Sequence, residues 1–235
     1  MKAVEQFSQN LTKNIRADED PSLIIHEFTD IIVSADGKKK ETVKGKGELN
    51  CGISMILFEY LESYHVPTHF LRRASSSEMI VKGLEPIKFV VQMRNIAAGT
   101  LVTRLGLPEG TVLKHPVFEI YLDNEELGFP IISESHCYAL GLALPEEIRD
   151  IFRMTNKVNA IMKSYLDRRD ITLVDFRLHF GREEGVILIS DSITPDTCRF
   201  WDKKTGRKLD RDVFGVKGGD IKVAYEEFLK RITNV

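Results

Sequence analysis

The sequence predicts an α+β fold that divides into two lobes. Several short segments alternate apolar and polar residues, which is typical of strands, and other segments repeat apolar residues at helical spacing. The strands follow one another as meanders and the helices stand apart from them, as in α+β proteins. At 235 residues the chain has the length of one large domain or of two small lobes that share a cleft.

The first lobe, residues 1–85, is predicted to combine strands with one helix. Residues 22–28 (SLIIHEF) and 78–82 (EMIVK) are short apolar runs that predict two strands. Between them, Asn50 is placed to cap a helix. The predicted apolar face of that helix consists of Ile53, Ile56, Leu57, Tyr60, Leu61 and Tyr64.

The second lobe, residues 86–235, is predicted to hold more strands and two helices. Residues 87–93 (IKFVVQM) and 116–122 (PVFEIYL) predict strands, and residues 171–180 and 186–191 predict a hairpin around the turn GREEG. A long helix begins at Pro145, because proline is favoured at the first helical position. The apolar faces of this helix and of the last one are Ile148, Ile151, Phe152, Thr155, Val158, Ile161, Met162, Tyr165 and Leu166, and Ile221, Tyr225, Phe228, Leu229 and Ile232.

Composition and charge narrow the class of protein. Hydrophobic residues make up 43% and charged residues 29% of the chain, as in ordinary globular proteins. The 33 basic and 35 acidic residues give a net charge of −2, so we expect neither a nucleic-acid partner nor an anionic membrane surface. With no apolar stretch of membrane-spanning length and no secretory signal pattern, we expect a cytoplasmic protein. The three separated cysteines are interpreted as packing thiols.

The first strand of the predicted hairpin carries a charged face. Period-two alternation places Asp175, Arg177 and His179 on one side of the strand. The predicted opposite face is apolar and consists of Val174, Phe176, Leu178 and Phe180. Acid, base and imidazole side chains on one face predict a binding surface, and the alternative is an exposed sheet face with neutralised charges.

The predicted pairing in the hairpin brings a second carboxylate to this face. If the chain turns tightly through GREEG, Phe180 pairs with about Val186. Asp191 then lies opposite Asp175, within two residues. The segment after Asp191, SITPDTCRFWD, is predicted to be a loop, and binding residues concentrate on loops held by rigid scaffolds.

A second cluster follows the strand that ends near Met93. In RNIAAGT, small residues allow backbone amides to approach a ligand, and Arg94 and Thr100 can grip phosphate or carboxylate oxygens. The alternative is a turn after the strand with a surface arginine.

In order along the chain, four segments resemble the SAICAR synthetase family of the purine pathway. They are MRNIAAGTLVTRLG, residues 116–135, LVDFRLHFG and SDSITPDTCRFWD, and the resemblance covers nearly the whole chain. It implies a two-lobed α+β fold with an ATP cleft between a small nucleotide-covering N-terminal lobe and a larger C-terminal lobe. It also implies a ligase that uses ATP and Mg²⁺ to join the amine of aspartate to the carboxylate of carboxyaminoimidazole ribonucleotide through an acyl phosphate.

The resemblance implies roles for individual residues. The implied catalytic residues are Asp175 and Arg177, and the implied ATP-binding residues are Thr12, Lys13, Lys82 and His179. The implied substrate-binding residues are Asp36, Lys46, Arg94, Thr100, Asp196 and Arg199, and the implied metal ligands are Asp191 and Asp175. Lys13 and Asp191 are expected to flank the nucleotide from opposite sides. The implied partners are a nucleotide and an amino acid, and a homo-oligomer is allowed.

The chain departs from the family pattern at several of these places. Asn10 and Leu11 replace a glycine and a lysine of the phosphate loop, and His179 replaces a glutamate expected to hold magnesium. The other departures are Val90, Phe129, Arg177 and Gly215. Three hypotheses therefore stand: a working SAICAR synthetase, a paralogous ligase for another carboxylate and amine, and a catalytically silent nucleotide-binding homologue.

Overall fold

The structure is a computed structural model that describes residues 12–33 and 39–234. The strands are β1 (Lys13–Ala17), β2 (Leu23–Phe28), β3 (Ile31–Val33), β4 (Lys40–Thr42), β5 (Phe70–Arg73), β6 (Glu78–Lys82), β7 (Glu85–Pro86), β8 (Phe89–Ile96), β9 (Val112–Leu122), β10 (Ile131–Ile132), β11 (Ile171–Glu183), β12 (Val186–Ser190) and β13 (Arg199–Asp202). The helices are α1 (Lys46–Glu62), α2 (Thr100–Leu105), α3 (Glu134–Ala139), α4 (Pro145–Asp167) and α5 (Ile221–Thr233), with a short 3₁₀ helix at Arg211–Gly215.

Two antiparallel sheets carry the fold. The first has the strand order β1-β2-β6-β5, and helix α1 packs against it. The second has the order β10-β9-β8-β11-β12, with β13 and β7 also paired to β11. Helix α4 packs against β11 on the apolar side of this sheet. Antiparallel sheets with helices packed on them confirm the predicted α+β class.

The two sheets join at one short segment. Thr68 forms a parallel bridge with Ile189 at the end of β12. The Ile189 amide donates to the Pro67 carbonyl at 3.1 Å, and the His69 amide donates to the Ile189 carbonyl at 2.9 Å. Residues just before β5 are therefore fixed to the chain just before Asp191, at the boundary between the two sheets.

One large apolar core runs through the described part of the chain. It contains residues of α1 and β6 from the first half together with residues of β8, β11, α4 and α5. Every residue of β8 is buried, since this strand is central in its sheet and covered on both faces. The proposed boundary between residues 85 and 86 stays a prediction.

The starts of helices α4 and α5 are determined by residues close by in the sequence. Helix α4 begins at Pro145 as predicted, and the Glu147 carboxylate accepts from the Leu144 amide at 2.7 Å. Helix α5 begins after Asp220, whose carboxylate accepts from the Val223 amide at 3.1 Å. Both starts follow from residues adjacent in sequence.

The predicted cap of α1 is wrong. The helix begins at Lys46, so Asn50 lies inside it instead of capping it. The backbone amides at the start of α1 are instead hydrogen-bonded by a residue distant in sequence. The Asp30 carboxylate accepts from the Gly45 amide at 3.1 Å and from the Gly47 amide at 2.9 Å.

The predicted register of the hairpin is also wrong. Glu183 pairs with Val186, so Phe180 lies opposite Ile189. Only Glu184 and Gly185 form the turn, both with positive φ (49° and 82°), as in a tight two-residue hairpin turn. Strand β11 therefore continues through most of GREEG. Because the last pair joins residues 179 and 190, residue 191 lies beyond the ladder, and Asp191 does not face Asp175.

A bulge alters the predicted apolar face of β11. The pairing of β11 with β13 shifts between Leu173 and Asp175. Leu173 and Phe176 both belong to the main core, whereas Val174 packs in a separate small cluster with Ile96. The extra residue breaks the period-two alternation at this point, so the prediction that Val174 shares a face with Phe176 is wrong.

No helix within residues 12–33 and 39–234 has both the length and the apolar character needed to span a membrane.

Two glycines are expected to respond oppositely to alanine. A Cβ on Gly52, within α1, meets no atom within 4 Å, so Gly52→Ala should stabilise the protein by about 0.5–1 kcal/mol through helix propensity. A Cβ on Gly181 would lie 2.6 Å from the Leu84 Cβ, so Gly181→Ala should destabilise by about 1–3 kcal/mol. Urea unfolding of both variants measures the two changes, and equal signs would contradict this description of the packing.

Candidate active site

Arg94 lies at the centre of a buried charged network on β8. Its side chain is only 1% exposed. Nε contacts the Glu119 carboxylate at 2.5 Å, and Nη2 donates to the Thr100 hydroxyl at 3.1 Å and to the Tyr121 hydroxyl at 3.0 Å. Nη1 reaches the Asp175 carboxylate at 3.4 Å. The alternative interpretation of Arg94 as a surface arginine is therefore wrong.

Asp175 links two arginines from different strands. Its side chain is fully buried, and Oδ2 lies 2.9 Å from Nη1 of Arg199 as well as 3.4 Å from Arg94. Strand pairing places the three residues side by side, because Asp175 pairs with Arg94 on β8 and with Arg199 on β13. Asp175 Oδ1 is buried, and within the described residues no group hydrogen-bonds to it. One carboxylate oxygen therefore orients both guanidinium groups.

Arg199 is held in place by a carboxylate and by a glycine. Its Nε donates to Asp212 at 2.7 Å. The guanidinium lies against Gly99, where an added Cβ would come within 2.6 Å of Nη2. Gly99 has φ 54° and ψ −132°, a conformation that L side chains rarely adopt. The structure thus brings Arg94, Thr100 and Arg199 together, as the predicted anion grip requires.

Asp196 is enclosed by a second polar cluster. Lys46 Nζ contacts its Oδ2 at 2.6 Å, the Asn50 amide donates to the same oxygen at 2.7 Å, and the Tyr225 hydroxyl donates to Oδ1 at 2.6 Å. All four residues are buried. The cluster ties α1 and α5 to the loop before β13. Sequence reasoning missed the polar role of Tyr225, since a tyrosine also fits an ordinary position on the apolar face of a helix.

Asp191 lies where the two sheets join. Its carboxylate forms an ion pair with Lys13 of β1, and its Oδ2 lies 3.5 Å from Nε2 of His179. The expectation that Lys13 and Asp191 flank a nucleotide from opposite sides is therefore wrong, because the two groups are in direct contact. Sequence reasoning also missed His69, whose Nε2 lies 2.9 Å from the Asp191 carbonyl oxygen.

Burial controls the charge of the groups around Asp191. Burial and the neighbouring positive charge of Lys13 lower the pKa of His69 to about 3, so its imidazole is neutral near pH 7. Burial and Lys13 likewise lower the pKa of His26. Burial lowers the pKa of Lys13, while the adjacent Asp191 carboxylate favours its charged form. The imidazoles of His26 and His69 are therefore neutral beside the Lys13–Asp191 ion pair.

The other predicted residues occupy the margin of this region or lie outside it. Arg177 is exposed and donates from Nε to Gln92 at 3.2 Å. Lys82 forms a half-buried ion pair with Glu183 at 2.7 Å. The Thr12 carbonyl accepts from the Thr29 amide at 3.0 Å, just before β1. Three residues of the predicted site lie outside the described residues: Asn10, Leu11 and Asp36.

Three residues that contact Arg94 were not predicted from the sequence. Gln92 accepts from both Arg94 and Arg177. Glu119 and Tyr121 lie on β9 beside Arg94, where they share a face by strand alternation. That alternation was the available signal, but nothing in it indicated that β9 would pair with β8 at this register.

The two predicted metal ligands do not meet. Asp175 is engaged by two arginines, and Asp191 follows a residue paired with His179. The pairing therefore places Asp191 level with about residue 178, roughly 10 Å along the strand from Asp175. Throughout the described part of the chain, no three His, Cys, Asp or Glu side chains form a group that could hold a metal ion. Asp191 remains as a single carboxylate candidate.

Fold and site together define a two-lobed α+β protein with buried arginine–carboxylate pairs in its larger sheet. The chain belongs to the SAICAR synthetase family, whose model matches residues 11–232. A phosphoribosylaminoimidazole-succinocarboxamide synthase from a Nitratiruptor species is 43% identical over 237 residues, which cover 100% of this chain and 99% of that protein.

Solved structures agree with this family assignment. A SAICAR synthetase (Type-2) in complex with ADP superposes with a TM-score of 0.92 at 43% identity, covering 97% of each chain. The phosphoribosylaminoimidazole-succinocarboxamide synthase from Ehrlichia chaffeensis gives a TM-score of 0.94 at 32% identity, covering 98% of this chain and 99% of that one. The resemblance found in the sequence and the expected fold are both confirmed.

Gly99→Ala is expected to displace Arg199 and to destabilise the protein more than backbone strain alone does. The matched control is the same substitution in an Arg199→Ala background, which keeps the Gly99 backbone conformation (φ 54°, ψ −132°) and removes the side chain that the added Cβ would meet. In that background Gly99→Ala should cost only the backbone strain, about 1–3 kcal/mol, and in the wild type about 1–3 kcal/mol more. Urea unfolding measures the difference. Equal costs would show that Gly99 does not make room for Arg199.

Proposed function

We propose that this chain is an ATP-dependent ligase that joins aspartate to carboxyaminoimidazole ribonucleotide in purine biosynthesis. The observation that carries the proposal is the 43% identity, over the full chain, to a phosphoribosylaminoimidazole-succinocarboxamide synthase. This relative and the two similar solved structures are named for this activity. They favour the working enzyme over a paralogous ligase or a silent homologue.

The proposed reaction has two steps. The carboxylate oxygen of the ribonucleotide attacks the γ-phosphorus of ATP, and ADP leaves as an acyl phosphate forms. The amine of aspartate then attacks the acyl carbon, phosphate leaves, and the amine loses a proton as the amide forms. Phosphoryl transfer of this kind needs positioning and positive charge more than covalent help from the protein.

We place the nucleotide phosphates near Lys13 and Asp191. The ADP complex of a 43% identical relative supports nucleotide binding in this fold. The ammonium of Lys13 can exchange its contact with Asp191 for a phosphate oxygen, since both partners are anionic oxygens. Lys82 lies on β6 of the first sheet and His179 on β11 of the second, and with Thr12 they complete the proposed ATP-binding set.

Asp191 fits the way proteins hold magnesium on a nucleotide. Mg²⁺ is usually bound through one or two carboxylates together with phosphates and waters, and a neutral imidazole is a poor ligand for it. Asp191 supplies the carboxylate, and His179, 3.5 Å away, does not add a second one. When bound, the ion would neutralise negative charge on the phosphates.

We place the anionic substrate against Arg94, Thr100 and Arg199. The contacts of Arg94 Nη1 to Asp175 and to the Ala98 carbonyl are both 3.4 Å, the longest that this guanidinium makes. An anion bound beside Nη1 would supply the shorter charge-assisted hydrogen bonds that these contacts lack. Asp175 then acts as a positioning residue for both arginines, and the exposed Arg177 adds positive charge beside them.

Lys46 and Asp196 are better explained as positioning residues than as substrate ligands. Both carboxylate oxygens of Asp196 already accept hydrogen bonds, and Lys46 is completely buried. The proposed small-molecule partners are the nucleotides and aspartate, and such metabolites are consistent with the expected cytoplasmic location.

The purified protein should form the succinocarboxamide only when ATP, Mg²⁺, carboxyaminoimidazole ribonucleotide and aspartate are all present. Arg94→Ala should raise the KM for the ribonucleotide by about 10–100-fold, the loss expected for one charge-assisted contact, with little change in the KM for ATP. Product formation is followed by absorbance and ADP release by a coupled assay. ATP turnover without this product would favour the paralogous ligase, and calorimetry showing no ATP binding would exclude both ligases.

Replacing His179 by glutamate should lower the Mg²⁺ concentration needed for half-maximal amide formation. The substitution places a second hard oxygen ligand beside Asp191, and changes of about 10-fold are typical of such groups. His179→Gln is the matched control, because it has similar length without the charge, and it should leave the magnesium dependence near that of the wild type. Identical magnesium curves for His179→Glu and wild type would remove His179 from the metal region.

A further inference from the structure

His69 holds the chain around Asp191 at two points. Its backbone amide donates to the Ile189 carbonyl at 2.9 Å, and its ring Nε2 lies 2.9 Å from the Asp191 carbonyl oxygen. The His69 carbonyl in turn accepts from the Lys82 amide at 2.8 Å. One residue just before β5 is therefore bonded to both ends of the segment 189–191.

The ring contact defines the tautomer of His69. A backbone carbonyl oxygen can only accept a hydrogen bond, so Nε2 must carry the hydrogen. The ring is 2% exposed and lies edge-on to Phe58 and to His26, at centroid distances of 5.6 Å and 5.3 Å. Packing thus prevents the ring from turning away from Asp191.

Asp191 needs such a support because its backbone is in an unfavourable conformation. Its φ is 67°, in the left-handed region that L side chains rarely adopt. The residue lies just beyond the last ladder pair of β12, so the sheet does not hold its carbonyl. The side chain begins from this backbone and forms the ion pair with Lys13. Rotation of the peptide would therefore redirect the carboxylate.

We propose that His69 is the positioning residue for Asp191: its Nε2–H holds the Asp191 carbonyl, keeps the backbone left-handed and so aims the carboxylate at the metal-bound phosphates. This inference rests on the proposed function for the role of Asp191. His69 itself is not placed to touch substrate, because it is only 2% exposed. Groups that orient a metal ligand typically change metal affinity by about 10–100-fold when removed.

The test compares two substitutions of His69 with a matched control. His69→Leu removes the donor, and it should raise the half-saturating Mg²⁺ concentration about 10–100-fold while the KM for aspartate changes little. His69→Gln places an amide N–H near the position of Nε2 and should recover most of this loss. His26→Leu makes the same substitution in the neighbouring ring, which does not bond to Asp191, and should leave the magnesium dependence within about 3-fold of wild type.

Asp191→Asn separates the failure of this inference from the failure of the proposed function. If Asp191→Asn raises the magnesium requirement and His69→Leu does not, the positioning role is overturned and the function stands. If neither variant changes it, the metal role of Asp191 fails and the inference with it. An equal effect of His26→Leu, or no rescue by His69→Gln, also overturns the positioning role.

A measurement on the wild-type protein covers the case in which His69→Leu does not fold. Long-range ¹H–¹⁵N NMR spectra of the imidazole distinguish the two neutral tautomers. The inference requires the Nε2–H form of His69 near neutral pH. The Nδ1–H form would overturn it, since that tautomer cannot donate to the Asp191 carbonyl.

Discussion

The structure depends on the carboxylate that Asp175 shares between Arg94 and Arg199. Isolated charges in a protein interior are strongly destabilising, and removing one partner of a buried pair typically costs about 3–5 kcal/mol. Here Glu119 and Asp212 complete the arginine contacts, so negative charges offset both guanidinium groups. The pairing of β8, β11 and β13 supplies this arrangement, since each strand contributes one member at the same level of the sheet. Strand register and charge balance therefore support each other.

The same principle applies to three charge pairs at separate places in the fold. Lys13 with Asp191, Arg94 with Asp175, and Lys46 with Asp196 each pair a cation with an anion from a distant part of the chain. The first lies at the junction of the sheets, the second in the middle of the larger sheet, and the third between α1 and α5. The proposed ligand contacts involve the first two pairs. The third joins α1 and α5 to the loop before β13, and three of the about four acceptor sites of the Asp196 carboxylate are already used.

Sequence reasoning succeeded where the signal is local and failed where a partner lies far away in the chain. Pro145 and the apolar spacing of α4 are read from adjacent residues, and both were predicted correctly. The cap of α1 comes from Asp30, and the position of Phe180 depends on where β11 stops and turns, which a run of five polar and glycine residues does not specify. For the site, the family resemblance brought together Arg94, Thr100, Asp175 and Arg199. It did not reveal Glu119, His69 or Tyr225, because a buried glutamate, histidine or tyrosine has the same local pattern with or without a partner.

The bulge at Val174 gives β11 one point at which its length can change. Before the bulge Leu173 faces the main core, and after it Phe176 does, although the two residues are three positions apart. Loss of Val174 would leave them two positions apart, restore the period-two alternation and keep Asp175 and His179 on their present side of the strand. Loss of a residue from the regularly paired run between Asp175 and Leu178 would instead turn the residues beyond it to the opposite face. Evolution of this strand can therefore shorten it at the bulge but not within the ladder that follows.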